Sequence, residues 1–132
     1  MATIFTRIIN GEIPCYRIAE DERFLAFLDV APLVRGHVLV VPKQEIDYIF
    51  DLDDNTIGDL MIFAKRVARA IDEAVDCLRV GVAVIGLEVP HAHVHLVPMQ
   101  TVKDINFLRP KISVEKEEME QIAAAIVSKL RN

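Results

Sequence analysis

The chain has little cysteine, no long apolar run and no cluster of basic residues. Cys15 and Cys77 are its only cysteines. They lie far apart without CxxC spacing, which argues against a disulfide framework and against a cysteine zinc site. No apolar run approaches the roughly 18 residues of a membrane span, and the first residues lack the basic-then-apolar order of a secretory signal. We therefore expect a soluble, cytoplasmic protein with two reduced thiols.

Acidic side chains outnumber basic ones. The 132 residues carry 20 acidic and 15 basic side chains, for a formal net charge of -5. This balance argues against general affinity for nucleic-acid backbones or anionic membranes, so a small anionic ligand would need local, directed donors. With 52% hydrophobic residues, a chain of this length is suited to one domain over 1–132.

The apolar pattern predicts an α+β fold. Helical spacing predicts a short N-terminal helix ended by Gly11, a long helix with a capping box near Thr56, and a last helix capped by Ser113. Extended apolar runs predict five strands, and the short link between the last two favours an antiparallel pair. Residues 99–112 show no clear pattern and are left unassigned. The predicted helices span 3–9, 56–75 and 113 onward, and the predicted strands 16–19, 24–30, 36–41, 79–85 and 91–97.

Three histidines alternate with apolar residues in the segment 91–95, which reads His-Ala-His-Val-His. Alternate residues of a strand point to the same side, so all three imidazoles should lie on one face. His37 begins a second strand-like run that could lie beside the first. A single buried histidine is often only a hydrogen-bonded core residue, but three in register are costly to desolvate without a function.

Such a cluster suits two kinds of chemistry. A neutral imidazole can attack phosphorus and form a phospho-histidine, while neighbouring rings hold the phosphate oxygens. Alternatively, His91, His93 and His95 could bind a catalytic zinc ion and leave a position open for water. The spacing alone does not separate these alternatives.

The chain resembles the histidine-triad (HIT) family, whose hallmark is His-φ-His-φ-His-φ-φ with φ apolar. Residues 91–97 match that motif at every position, and the segments 4–14, 27–32 and 36–43 match further family motifs in order. The resemblance covers about residues 1–98 and is greatest to the small nucleotide-binding and hydrolysing branch. It implies a five-stranded antiparallel sheet with one long central helix, a short N-terminal helix and a C-terminal helix. It also implies a homodimer with a purine nucleotide pocket, while 99–132 forms a C-terminal extension.

The resemblance implies a role for each histidine. His93 would be the nucleophile that takes the nucleotidyl group, His91 would orient it, and His95 would contact the phosphate or the leaving group. His37 would complete the group from the neighbouring strand. The related nucleotidyltransferase branch carries Gln at the third position, so His95 favours hydrolysis over transfer.

The resemblance also implies a nucleoside pocket. Asp29 would accept hydrogen bonds from the ribose hydroxyls, although it could equally be a turn residue. Six apolar residues match positions that sandwich the base in relatives, and each could instead belong to the core: Ile4, Phe5, Ile8, Phe27, Val30 and Leu39.

The segment 84–90 departs from the family pattern. Relatives usually have an Asn, then Gly-Gln and a small hydroxyl residue at the phosphate site, whereas here Leu87 and Glu88 stand in the last two places. At least two neutral hydrogen-bonding groups are missing. Glu88 would repel a phosphate unless it points away or meets a cation, and it could also be a solvated hairpin residue.

We therefore expect a purine nucleotide hydrolase that cleaves phosphoramidate or phosphoanhydride bonds at the α-phosphate through a nucleotidyl-histidine intermediate. This interpretation requires no cofactor and no metal. Two alternatives stay open. The protein could bind nucleotides with little turnover, as the changes at Leu87 and Glu88 suggest, or it could be a zinc hydrolase.

Overall fold

The computed structural model describes residues 2–131. In this part of the chain, five strands form one antiparallel sheet in the order β1-β2-β3-β5-β4. The five-stranded α+β architecture expected from the sequence is therefore confirmed. The elements are α1 (Ile4–Ile9), β1 (Arg17–Glu20), β2 (Phe24–Leu28), β3 (Val38–Pro42), α2 (Asp54–Ala74), β4 (Arg79–Ala83), β5 (Val94–Met99) and α3 (Lys116–Val127), with 3-10 turns at Ile49–Asp51 and Val102–Ile105.

The sheet buries side chains on both faces. Strands β2 and β3 are continuous apolar runs in which every residue is buried. Their alternate side chains enter two separate clusters, because successive residues of a strand point to opposite faces. One face packs under α2 and α3. The other face packs against Phe5 and Ile8 of α1 and, beside them, carries the histidines.

Both long helices begin at other residues than the sequence predicted. Helix α2 begins at Asp54, because Asp53 accepts a hydrogen bond from the backbone N–H of Thr56 and caps the helix one turn before the predicted capping box. Helix α3 begins at Lys116 after Glu115, so Ser113 does not cap it. Helix α1 agrees with its prediction, with Thr3 as the capping residue.

The histidine-rich segment is only partly strand, which corrects the predicted boundary. Strand β5 begins at Val94, and the two residues before His93 bond elsewhere: the N–H of His91 donates to Val89 and that of Ala92 to Ile46. Leu39 of β3 pairs with His95, so the two predicted neighbouring runs do lie side by side. Strands β4 and β5 pair in antiparallel fashion, as expected from their short link. Over 2–131, no helix is both long and apolar enough to cross a bilayer.

Candidate active site

A cavity of about 490 Å³ opens on the α1 side of the sheet. Its size is typical of small-ligand sites, and its walls are mostly apolar with a few polar groups. His93 and His95 line it together with all seven residues expected to bind the nucleoside. His91 and His37 are buried and do not line it. Those seven lining residues are Ile4, Phe5, Ile8, Phe27, Asp29, Val30 and Leu39.

His91 is held by hydrogen bonds at both ring nitrogens. Its Nε2 lies 2.8 Å from the carbonyl oxygen of Pro42, and its Nδ1 lies 2.8 Å from the hydroxyl of Thr3. Since a carbonyl oxygen only accepts, Nε2 carries the proton and Nδ1 accepts from Thr3. Burial is the main cause that lowers the pKa of His91. The ring is thus fixed and neutral, and both of its nitrogens are engaged within the protein.

The backbone of His91 determines the tautomer of His93. The Nδ1 atom of His93 donates to the carbonyl oxygen of His91 over 2.7 Å. In the neutral ring, Nε2 therefore carries the lone pair. The Phe5 ring packs edge-on against the imidazole, with ring centroids 5.0 Å apart. His93 is thus an oriented side chain that lines the cavity and whose neutral form has its lone pair on Nε2.

A chain of hydrogen bonds determines the protonation of His95. The backbone N–H of Leu33 donates to Nδ1 of His37, so the proton of His37 is on Nε2. That Nε2 donates over 3.0 Å to Nδ1 of His95, which leaves the Nε2–H of His95 as a donor at the cavity. Burial lowers the pKa of His37 to about 4 and that of His95 to about 3. Both rings are therefore neutral at neutral pH.

Asp29 takes part in a turn and also lines the cavity. Its Oδ1 accepts from the backbone N–H of Ala31 over 2.9 Å, which is a turn contact. Its Oδ2 lies 3.7 Å from Nε2 of His37, and the residue also lines the cavity. Burial raises the pKa of this carboxyl group, against the effect of the Ala31 hydrogen bond. A ligand hydroxyl group that reached Asp29 could donate a hydrogen bond to this carboxyl group.

The segment left unassigned in the sequence supplies one wall of the cavity. Phe107, Leu108 and Lys111 line it, and the ring centroid of Phe107 lies 4.6 Å from that of His95. A short apolar stretch at 105–108 within a polar connection was the only signal in the sequence for this role. Glu88 also lines the cavity from an exposed position, and Leu87 beside it is 89% exposed.

The zinc alternative does not suit the donors present. Both nitrogens of His91 are already engaged, so the expected set of His91, His93 and His95 is not available to a metal. Asp29, His37 and His95 do bring ligand atoms within 4.8 Å of one another. However, the nitrogen that His37 turns toward them carries its proton, because its other nitrogen accepts from Leu33. A metal ion there would have to displace that proton.

The fold and site define a small α+β protein with a histidine-lined ligand cavity. The HIT domain model matches residues 10–102, more than half of the chain. The chain therefore belongs to the HIT family, and the resemblance seen in its sequence is confirmed.

Similar proteins cover most of the chain. It is 32% identical to adenosine 5'-monophosphoramidase hnt1 of Schizosaccharomyces pombe, over 99% of this chain and 100% of the relative. A hypothetical histidine triad nucleotide-binding protein from Sulfolobus tokodaii is 30% identical, with a TM-score of 0.81 over 95% of this chain and 89% of the other. A zinc-bound histidine triad family protein from Mycobacterium smegmatis is also 30% identical, with a TM-score of 0.80 over 97% and 95%.

Proposed function

We propose that this protein is a purine nucleotide hydrolase that cleaves a phosphoramidate or phosphoanhydride bond at the α-phosphate. The observation that carries the proposal is the hydrogen bond that places the lone pair of neutral His93 on Nε2 at a cavity, beside the Nε2–H donor of His95. Among its relatives, the Schizosaccharomyces pombe protein is named as an adenosine 5'-monophosphoramidase. The chemistry of the site and the activity of that relative point to the same reaction class.

In the first step, Nε2 of His93 attacks the α-phosphorus. The bond from phosphorus to the leaving group breaks, and the leaving group departs with the electron pair and takes a proton from water. The imidazole becomes a positively charged nucleotidyl-imidazolium, and its Nδ1–H donates to the carbonyl oxygen of His91, which stabilises that charge. His95 donates from Nε2 to a phosphate oxygen or to the leaving atom.

In the second step, water attacks the same phosphorus and the bond to His93 breaks. The products are a nucleoside monophosphate and the free imidazole, and the proton lost by the water passes to solvent. In this arrangement, the apolar residues around Phe27 and Leu39 hold the base. Asp29 accepts from the ribose hydroxyls.

The proposal is tested with adenosine 5'-phosphoramidate as the substrate. We expect release of adenosine monophosphate and a transient nucleotidyl adduct in the intact mass of the protein. His93→Ala should lose about a thousandfold in turnover and form no adduct. Lys65→Gln, on the exposed surface of α2 away from the cavity, is the matched control and should behave like the unsubstituted protein. Tight binding of adenosine monophosphate without product would instead identify a binding module.

We also propose that the protein is a cytoplasmic homodimer. Cys15 and Cys77 are both free thiols, as is typical of a reducing compartment. Strand β4 is at one edge of the sheet, and Val82 on it is 51% exposed. Apolar residues on an edge strand are suited to pairing with a second copy of the chain.

A further inference from the structure

The cavity is completed by residues 106–111, which we call the C-terminal wall. Phe107 covers two of the histidines, with ring centroids 4.6 Å from His95 and 6.3 Å from His37. Leu108 and Lys111 line the same cavity. The wall therefore touches the part of the site where the proposed reaction takes place.

Specific hydrogen bonds hold the C-terminal wall at both ends. Before it, Thr101 and Asp104 form a capping box on the turn Val102–Ile105, and the guanidinium of Arg109 donates to the carbonyl oxygen of Lys103 over 2.6 Å. After it, the N–H of Ile112 donates over 2.9 Å to the carbonyl oxygen of Pro32, close to the Asp29 turn. These contacts fix the wall relative to the histidines.

Lys111 provides positive charge at the cavity. It is the only Lys or Arg among the described residues that line it, where Asp29 and Glu88 contribute two carboxyl groups. Its Nζ lies 5.7 Å from the centroid of the Phe107 ring, so the ring that covers His95 also positions the ammonium group. The charge of Lys111 acts against the burial that raises the pKa of Asp29, as expected of a cation near that carboxyl group.

Residues 85–89 line the cavity without offering it a neutral hydrogen-bonding side chain. Leu87 has no hydrogen-bonding side chain, and the carboxylate of Glu88 repels a phosphate. A phosphate at His93 therefore needs another donor, and an ammonium group both donates hydrogen bonds and offsets the negative charge of Glu88.

We propose that Lys111 is the phosphate-binding cation of this site and a determinant of its specificity for nucleotides over nucleosides. This inference rests on the proposed function and extends it to the recognition of the substrate. Phe107 holds the ammonium group, and the 5'-phosphate lies between Lys111 and the Nε2 atoms of His93 and His95. The site thereby selects ligands that carry an anionic phosphate.

The test measures binding of adenosine monophosphate and of adenosine by calorimetry in the parent protein with His93 intact, since the monophosphate is the product of the proposed reaction and neither ligand is turned over. Lys111→Gln should weaken monophosphate binding about tenfold and leave adenosine binding within about twofold. Lys111→Arg should keep most of the monophosphate affinity. Lys103→Gln is the matched control, because Lys103 lies on the turn Val102–Ile105 just before the C-terminal wall and does not line the cavity. It should change the affinity for neither adenosine monophosphate nor adenosine. Added salt should weaken monophosphate binding less in Lys111→Gln than in the parent.

Each outcome decides the proposal. Equal weakening of both ligands in Lys111→Gln would overturn it, because that result indicates a structural role for Lys111. Unchanged monophosphate binding in Lys111→Gln would overturn it as well, as would the absence of monophosphate binding to the parent. Binding that depends on Lys111 in a protein that hydrolyses no phosphoramidate would support the inference and refute only the proposed hydrolysis.

Discussion

The protonation of each histidine is determined by one neighbour. The carbonyl oxygen of Pro42 fixes the proton on His91, the carbonyl oxygen of His91 fixes that on His93, and the N–H of Leu33 fixes that on His37. The Nε2–H of His37 in turn donates to Nδ1 of His95, so the proton of His95 is on its Nε2. When its ring is neutral, His93 therefore has its lone pair on Nε2 at the cavity, which His95 also lines with its Nε2–H. Attack on phosphorus and donation to oxygen need this combination.

The buried histidines make the stability of the protein depend on pH. The pKa values of His37 and His95 are about 4 and about 3 in the folded protein, whereas histidine in an unfolded chain has a pKa near 6.5. Between these values the unfolded chain binds more protons, so acid favours unfolding. From about pH 7.5 to about pH 5, each histidine should lower the free energy of unfolding by about 2 kcal/mol.

Urea unfolding at these two pH values measures the effect. His37→Gln removes one of the buried histidines with a lowered pKa, so its loss of stability between the two pH values should be clearly smaller than that of the parent. The raised pKa of Asp29 opposes the trend, because a carboxyl group that binds its proton more readily in the folded state favours folding in acid. Equal stability of the parent at both pH values would refute this prediction.

Thr3 supports the site from the first turn of the chain. Its hydroxyl donates to Nδ1 of His91 and accepts from the N–H of Thr6. Thr3→Val should leave the buried Nδ1 of His91 with only the longer contact to the Thr6 hydroxyl, 3.4 Å away, and lower the free energy of unfolding by about 1–3 kcal/mol. Turnover should fall too, because the His91 backbone holds His93. Thr3→Ser keeps the hydroxyl and is the control for both measurements; identical behaviour of the two variants would contradict the role of this hydrogen bond.

At the scale of elements, the turn before β3 determines the position of His37. Gly36 has a φ of 91°, and an added Cβ would lie 3.1 Å from Val75 and 3.2 Å from Pro98. Gly36→Ala should therefore lower the free energy of unfolding by about 1–3 kcal/mol and reduce turnover by displacing His37.

Gly11→Ala is the matched control for this position. Gly11 also has a positive φ, 80°, but an added Cβ would meet nothing within 4 Å. The control should show the backbone strain without the steric contact, and turnover should be unchanged. Thermal unfolding and phosphoramidase assays on both variants separate the two effects. Equal turnover in both variants would show that the close packing at Gly36 does not position the site.

The elements themselves were predictable where their signals are local. Extended apolar runs and helical spacing located the five strands and three α-helices of the described residues, and the short link predicted the antiparallel pairing of β4 with β5. Boundaries were less predictable. Strand β5 begins at Val94 because the backbone N–H groups of His91 and Ala92 donate to loop residues. Helix α2 begins before Thr56 because Asp53, and not Thr56, is its capping residue. Both outcomes depend on hydrogen bonds that the apolar pattern does not reveal.

For the whole molecule, the edge strand β4 should decide the oligomeric state. A dimer formed through β4 buries Val82, so Val82→Glu should place a charge in the interface and shift the protein toward the monomer. Val127→Glu is the control: Val127 is 44% exposed on α3, which contacts β1 at the opposite edge of the sheet. Light scattering after gel filtration measures the mass. A parent that elutes as a monomer would refute the proposed dimer.

The α+β class, the family and the face on which the histidines lie could all be predicted from the sequence, because apolar spacing and short motifs are local properties of the chain. The proton positions and the C-terminal wall could not be predicted, because they depend on how the chain packs. Some of the contacts responsible join residues far apart in the chain: Pro42 meets His91 across 49 positions, and His37 meets His95 across 58. Others, such as the hydrogen bond from His93 to the carbonyl oxygen of His91, are short in sequence but depend on a backbone geometry that the apolar pattern does not reveal. Both kinds of contact form only when the elements pack in the folded chain.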